Sequence, residues 1–380
     1  MSRNHNGPMA SLVVPLALLS RARRVAEAFG ALTGVGVDAG ELVAGRATML
    51  GLAPKGRVSA GGATHLMPSR DDGWCALTLS RPDDVEAVPA LLQRDTVDDD
   101  PWPAVHRWVA ANDAADVTER ARLLGLPVAA LGETPAGPPR RYPFGAATTP
   151  RGAAGLLVAD LSSMWAGPLC GQLLARAGAT VVKIESITRP DGARSGPPAF
   201  FDWMNHGKLS YAADFDRPGP LKALLSAADV VIESSRPAAL ARRGLGPTDV
   251  QPRDGRVWLR ITGHGTEGDR ANWVAFGDDA AVSGCLIGGT PADPVFCGDA
   301  IADPLTGLQA ALTVAESLRD GGGELIEMSM AAVAASYAEL PDDGETQCTA
   351  TPQPSGPAAP LGADNAAVEQ MLADWGLASC

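Results

Sequence analysis

The chain has 380 residues, a net charge of −13, 46% hydrophobic residues and 20% charged residues. This balance gives a globular chain long enough for two domains and excludes intrinsic disorder. The acidic excess argues against nucleic acid or an anionic membrane as a partner, so an anionic ligand needs a local basic patch.

The six cysteines (Cys75, Cys170, Cys285, Cys297, Cys348, Cys380) show no CxxC spacing, and the five histidines show no HExxH or paired-ligand spacing. A reducing cytoplasm and no metal are the expectations. Met9 to Leu19 is apolar but short, and its arginines (Arg21, Arg23, Arg24) follow it rather than precede it. It reads as a packed helix, not a signal peptide, and no run reaches the ~18 apolar residues of a membrane span.

In chain order, residues 1–45 read as a mostly helical segment. A small α/β unit is expected over 46–135, with a glycine turn at Gly61-Gly62, a strand at Gly73–Ser80, helices around Trp102–Ala110 and Ala114–Leu124, and a strand at Leu126–Leu131. Residues 136–150 are proline-rich and read as a linker. Over 151–340 apolar strands alternate with helices: Gly155–Asp160, Ala179–Glu185, Ala228–Glu233, Arg256–Thr262 and Leu325–Met330. Strands apolar along their whole length mean a parallel sheet covered on both faces, a Rossmann-like α/β fold, although no GxGxxG follows the first strand. Ligands of such sheets bind beyond the carboxyl ends of the strands. Those ends carry Ser162–Trp165, Ser234-Ser235-Arg236 and Gly263-His264-Gly265. Residues 341–361 read as a Pro/Ala-rich tether and 362–380 as a C-terminal segment with a helix over Asn365–Trp375.

The stretch Gly298-Asp299-Ala300-Ile301-Ala302-Asp303-Pro304-Leu305-Thr306-Gly307 hands an irregular segment over to a helix. Pro304 suits a first helical turn, which places Asp303 at the N-cap. Two readings stand: Asp303 only caps the helix, or it is a nucleophilic carboxylate kept ionised by backbone N–H groups and the helix dipole.

Val158–Ser162 with Ala166-Gly167-Pro168, Val182-Lys183-Ile184-Glu185, Asn205–Ser210, Ala228–Pro237 and Ile301–Gly307 follow one another in the second half of the chain. In these residues and this order it resembles the class III CoA-transferases. Ser59–Gly62 with Asp72-Gly73-Trp74, and Arg120–Pro127, resemble that family's small domain, which here precedes the large-domain motifs instead of following them. The resemblance implies a large Rossmann-like domain, a smaller α/β domain and an interlocked homodimer. It also implies transfer of CoA from an acyl-CoA to a carboxylic acid, with no metal.

By motif register Asp303 is the implied nucleophile, with Asp299 as its rival. Gly61 and Gly62 form the implied lid and N–H donor. Asp279 is the best match to a second acidic position, Asp278 the alternative, and a turn or helix cap remains open for both. CoA contacts are implied at Trp165, Ala166, Ser234, Ser235, Arg242 and Asp278; Arg236 and Arg243 are further sources of phosphate-binding charge. Two other functions compete. A 2-methylacyl-CoA racemase needs an acid–base pair, and Asp278 stands where a racemase has histidine. A non-catalytic acyl-CoA-binding subunit would explain the moved small domain.

Overall fold

Strands with no polar face need cover on both sides, and the chain supplies it with helices between nearly every pair of strands. The computed structural model describes residues 12–53, 55–353 and 356–374. The described residues begin with β1 (Leu12–Pro15), α1 (Leu16–Thr33) and α2 (Ala39–Leu50). A three-stranded antiparallel sheet of β2 (Thr64–Pro68), β3 (Trp74–Thr78) and, after helices α3 (Pro82–Glu86), α4 (Val88–Leu92), α5 (Trp102–Val109) and α6 (Ala114–Leu123), β4 (Val128–Ala130) follows.

The second half runs β5 (Arg140–Pro143), β6 (Leu157–Asp160), α7 (Ala166–Arg176), β7 (Thr180–Ser186), α8 (Pro198–Asn205), β8 (Leu209–Ala213), α9 (Gly219–Ala227), β9 (Val230–Glu233), α10 (Pro237–Ala241) and β10 (Val257–Thr262). Then come α11 (Gly277–Ser283), the hairpin β11 (Ile287–Thr290) and β12 (Asp293–Phe296), α12 (Ala302–Arg319) and β13 (Glu324–Ser329). The described residues close with α13 (Met330–Ala338), β14 (Glu345–Cys348) and α14 (Asn365–Asp374).

Seven strands form one sheet in the order β5-β13-β10-β9-β6-β7-β8, parallel throughout except for β5, which is antiparallel to β13. The first parallel strand, β6, lies inside the sheet, and later strands add on one side (β7, β8) and then the other (β9, β10, β13). That reversal leaves a crevice at the carboxyl ends of β6 and β9. Alternate residues serve opposite faces: Val158, Ile232 and Leu259 pack with α1, α2, α7, α12 and α13, while Ala159, Val231 and Trp258 pack with α9 and α14. The small sheet has its own core, and Leu66, Trp74 and Ala76 pack on Val282 of α11 and Phe296 of β12.

Three stretches differ from their sequence reading. Residues 1–11 lie outside the described residues, and Leu12–Pro15 is a strand, not helix, paired with β14 in the Pro/Ala-rich tether. Leu12 and Val14 are buried while Val13 is exposed, the alternation of a half-buried strand. The proline-rich linker contains β5, which pairs along β13 and is pinned by Arg141 to Glu324 at 2.8 Å. Pro143 ends that edge strand, the position where a missing N–H is tolerated. At the opposite edge, Asp364 and Asn365 accept from the N–H groups of Ser210 and Ala212 at 2.8 and 2.9 Å, so the start of α14 satisfies the open side of β8. Trp375 and Cys380 lie outside the described residues.

Candidate active site

Asp303 is held by the starts of helices. The N-cap of α12 is Ile301, so Asp303 is the second residue of the helix and not its cap, a correction to the sequence reading. Its N–H donates to the Ala300 carbonyl at 2.9 Å, and its side chain leaves the helix toward α7. There the Ala166 N–H, at the first residue of α7, donates to Oδ1 at 3.3 Å. Two glycines make the seat. A Cβ at Gly307 would stand 2.6 Å from the Ala166 carbonyl oxygen, so only glycine lets α12 and α7 cross this closely. A Cβ at Gly277, the first residue of α11, would collide with Asp303 Oδ2 and the Ala300 carbonyl.

Asp303 as a residue is only 9% exposed. Burial raises its carboxyl pKa to about 7; the N–H groups of Ala166 and Gly277 and the charge of Arg46 oppose the rise, and Asp299 adds to it.

Asp299 is fully buried and lies 2.5 Å from Arg46 of α2. The Arg46 guanidinium sits over the rings of Trp165 and Phe200, 5.6 and 5.4 Å from their centroids. Burial still raises the Asp299 pKa, against the pull of Arg46. Asp278 and Asp279 part company. Asp278 accepts from the Ala300 N–H at 2.9 Å, and burial together with Asp299 pushes it up to about 7. Asp279 turns away: it accepts from the Phe276 N–H at 3.0 Å and from the Thr78 hydroxyl at 2.8 Å. It caps α11 and ties it to β3, and burial lifts its pKa to about 8. The geometry gives Asp278, not Asp279, as the acid beside the Asp299–Asp303 segment, because capping consumes Asp279.

A cleft of about 820 Å³ opens at the carboxyl ends of β6, β9 and β10, with Asp303 on its wall. Ala166, Ser234, Ser235 and Arg236 line it, together with Ser80–Asp83 and Trp273–Phe276. Ser234 Oγ accepts from the Ser163 N–H at 3.1 Å, and Ser235 Oγ is buried without a partner among the described residues. Arg189 and Arg236 are exposed in the cleft and form no ion pair among the described residues, whereas Arg81 is committed to Asp84 at 2.5 Å.

The other sequence candidates fall outside this cleft. Trp165 is buried behind it, carrying Arg46 on its ring. Arg242 is exposed at the end of α10 and does not line it, and Arg243 is paired with Asp216 at 3.1 Å. Gly61 and Gly62 do not line it either. The Gly62 N–H is spent on the Ser59 carbonyl at 2.8 Å, and Gly61 faces Arg46 Nη2. The double glycine therefore approaches the Arg46–Asp299 pair, and no N–H of Gly62 is left for an oxyanion in this conformation.

Two features went unread in the sequence. Met164 on the cleft floor has φ +72°, and its N–H donates to Asp191 at 3.0 Å. Asp191 is in turn paired at 2.8 Å with Lys183, whose ammonium also reaches the Ser162 carbonyl. Lys208 does the same for the strand end, bonding Asp160 at 2.9 Å and the Pro168 carbonyl at 2.8 Å. The signal was a lone lysine inside the apolar strand Thr180–Ser186, and, for Arg46, a lone cation among the small and apolar residues of α2. Among the described residues no group of three or more His, Cys, Asp or Glu side chains could hold a metal, and no helix is long and apolar enough to cross a membrane.

Residues 154–363 match the family model described as CoA-transferase family III. A succinate–glutarate CoA-transferase of Agrobacterium fabrum is 32% identical over 204 residues, 46% of this chain and 50% of that protein. A succinyl-CoA–D-citramalate CoA-transferase of Chloroflexus aurantiacus is 28% identical over 46% of this chain and 48% of its own length. The chain thus spans about half the length of these relatives. The crystal structure of Rv3272 from M. tuberculosis aligns at TM-score 0.44 and 27% identity, over 50% of this chain and 56% of that one.

Proposed function

The chain belongs to CoA-transferase family III, and from that premise we propose that it moves CoA from an acyl-CoA thioester to a carboxylic acid through covalent intermediates on Asp303. The observation that carries the reading is the seat of Asp303: a carboxylate on the wall of the cleft, bonded by the Ala166 N–H at a helix start.

The chemistry balances as an exchange of acyl partners. The Asp303 carboxylate attacks the thioester carbonyl, and CoA leaves as thiolate, giving a mixed anhydride of the donor acid and Asp303. The thiolate attacks the aspartyl carbonyl, which frees the donor's carboxylate and leaves an aspartyl-CoA thioester. The acceptor carboxylate attacks that thioester, the thiolate leaves again, and it then takes the acceptor's acyl group from the second anhydride, regenerating Asp303. Each step exchanges one activated acyl bond for another, so no step meets the full barrier. Helix N-terminal N–H groups favour the charge on Asp303 and on the tetrahedral oxyanions beside it. Arg189 and Arg236 supply the local positive charge for the phosphates of CoA in an otherwise acidic chain. We read the large domain as Rossmann-like over 151–340 with the small α/β domain over 46–135 closing one side of the cleft, in a cytoplasmic homodimer. Relatives named for succinate, glutarate and citramalate support carboxylic acids as the acceptor class.

One observation favours the rival reading of a non-catalytic acyl-CoA binder: Gly61 and Gly62 stand outside the cleft. A racemase loses ground, because Asp278 offers a second carboxylate where a histidine base is needed, and the buried His264 is held against Ser283 at 3.3 Å with its pKa lowered to about 3, chiefly by burial. The deciding experiment is incubation with acetyl-CoA and succinyl-CoA, trapping with hydroxylamine and peptide mass spectrometry. A hydroxamate or CoA adduct on Asp303 supports transfer. Thermal stabilisation by CoA with no adduct at any carboxylate would replace it with the binder.

A further inference from the structure

Arg46 lies in α2, outside the segment that matches the family, yet it reaches the carboxylates around Asp303. Its placement is built, not incidental. Gly45, the residue before it, lets α2 press against Trp203 of α8 and against Pro352; a Cβ at 45 would stand 2.5 Å from Pro352 and 2.8 Å from Trp203. The guanidinium is then bracketed by the Trp165 and Phe200 rings and closes on Asp299 at 2.5 Å. Trp165 is the N-cap of α7, and the next residue, Ala166, donates the N–H that holds Asp303.

We propose that Arg46 is a positioning residue for the nucleophile: by compensating Asp299 and bracing Trp165, it favours the Asp303 anion and aims it from the start of α7. The proposal rests on the reading of Asp303 as nucleophile.

The charged and titratable groups facing Asp303 are Arg46 from α2, Asp278 from α11 and Asp299 from the turn before α12; α7 faces it with the Ala166 N–H. With three buried carboxyl groups and one cation in this set, the ionisation of Asp303 depends on whether Asp299 is compensated. An uncompensated charge on Asp299 would oppose a second one nearby. Removing Asp299 while Arg46 remains should favour the Asp303 anion. Removing both should restore roughly the original balance. A side chain that only packed α2 in place would show no such reciprocity.

The test is a charge cycle on the full chain: Arg46→Gln, Arg46→Lys, Asp299→Asn and the double variant, each read for the pH at which Asp303 changes state. One readout is the rate of adduct formation with succinyl-CoA. The second needs no substrate: the pH profile of Asp303 modification by a water-soluble carbodiimide and glycine ethyl ester, mapped by peptide mass spectrometry. Arg46→Gln should move the profile up by about one pH unit, a roughly fivefold loss of adduct rate at pH 7 for a group that starts half ionised there. Asp299→Asn should move it down, the double variant should return near the wild type, and Arg46→Lys should keep most of the effect.

Unchanged profiles, or a double variant as displaced as Arg46→Gln, overturn the proposal. If Arg46→Gln fails to fold, Asp299→Asn alone decides, since an unmoved profile there overturns it as well. Wild-type chain that forms no adduct refutes the nucleophile reading, and the carbodiimide profile still tests the Arg46 coupling.

Discussion

Gly307 stands one helical turn beyond Asp303 with its backbone against Ala166, close enough that a Cβ would lie 2.6 Å from the Ala166 carbonyl oxygen and 2.9 Å from Leu169 Cβ. The two features of the motif are therefore one device: the aspartate presents a carboxylate to the start of α7, and the glycine four residues on lets α7 come near enough to donate to it. Gly307→Ala should force the helices apart, costing about 1–3 kcal/mol of stability as other overpacked sites do. It should also cut adduct formation more than Ala→Gly changes elsewhere on α12, because the Ala166 N–H is drawn away from Asp303. Chemical denaturation and the rate of succinyl-CoA adduct formation measure the two effects; a variant that loses stability but keeps its adduct rate would separate packing from function.

The pH dependence of that rate follows from the burial of Asp303. Its pKa of about 7 lies above the ordinary carboxylate value, so the carboxyl is half protonated near neutrality and the anion, the form proposed to attack, gains as pH rises. Adduct formation should increase through about pH 7 and level off above it. Asp303→Asn, nearly the same size, should abolish the hydroxamate while leaving the melting profile close to wild type at pH 6. A rate that falls across this range would point to a group that acts protonated.

Much of this site was open to reading because its chemistry lives in local patterns. The first turn of α12 is written in Ala302-Asp303-Pro304, and the parallel strands in runs of Val, Ile and Leu. What stayed hidden depends on distance in the chain. Nothing near Arg46 reveals that Asp299, 253 residues away, is its partner. Asp278 and Asp279 are adjacent and chemically identical; the start of α11 at Gly277 puts Asp279 at the third helical position, where it caps, and the Thr78 hydroxyl of β3 adds a second bond. Leu12–Pro15 and Glu345–Cys348 are short and individually weak, and become strands by pairing with each other. The glycine turn shows the converse: its sequence was visible, but the direction it faces was not.

The cleft cations make a third expectation. Arg189 and Arg236 line the cleft and are unpaired among the described residues, while Arg242, equally basic, lies outside it. Arg189→Ala and Arg236→Ala should each weaken CoA binding about 5- to 10-fold at low ionic strength, with the loss shrinking as salt screens the phosphates. Arg242→Ala should leave it unchanged. Calorimetric titration at two salt concentrations checks all three, and a loss confined to Arg242→Ala would place the phosphates on the other side of α10.

The loop under the cleft depends on a buried ion pair. Lys183 and Asp191 lie 2.8 Å apart, almost wholly buried, and Asp191 also accepts the N–H of Met164, a non-glycine residue at φ +72°. Holding that backbone shape in an L-residue costs of order 1–3 kcal/mol, and the carboxylate offsets it. Lys183→Met leaves Asp191 buried and unpaired, which should destabilise by about 3–5 kcal/mol. Met164→Gly relieves the backbone constraint and should recover part of that loss when combined with it. A double variant no more stable than Lys183→Met, measured by urea unfolding, would show that the loop is held by something other than this pair.

The cluster of raised carboxyl groups gives the chain a stability that falls with pH. Asp278 has a pKa of about 7 in the folded state against an ordinary 3.8, so the folded chain keeps a proton that the unfolded chain gives up between those values. Its contribution is fully present below about pH 4 and is lost as pH rises through about 7, because the unfolded state then binds fewer protons than the native one. Asp278→Asn removes the titration while its amide oxygen can still accept from the Ala300 N–H. The variant should therefore melt above the wild type at pH 8, by several degrees, and the gap should close toward pH 4. A shift of about three units corresponds to about 4 kcal/mol at most, and relaxation around the site reduces what is measured. Melting curves at four or five pH values decide it: a gap that stays constant with pH would mean that Asp278 keeps its charge in the fold, and that the compensation by Arg46 reaches further than Asp299.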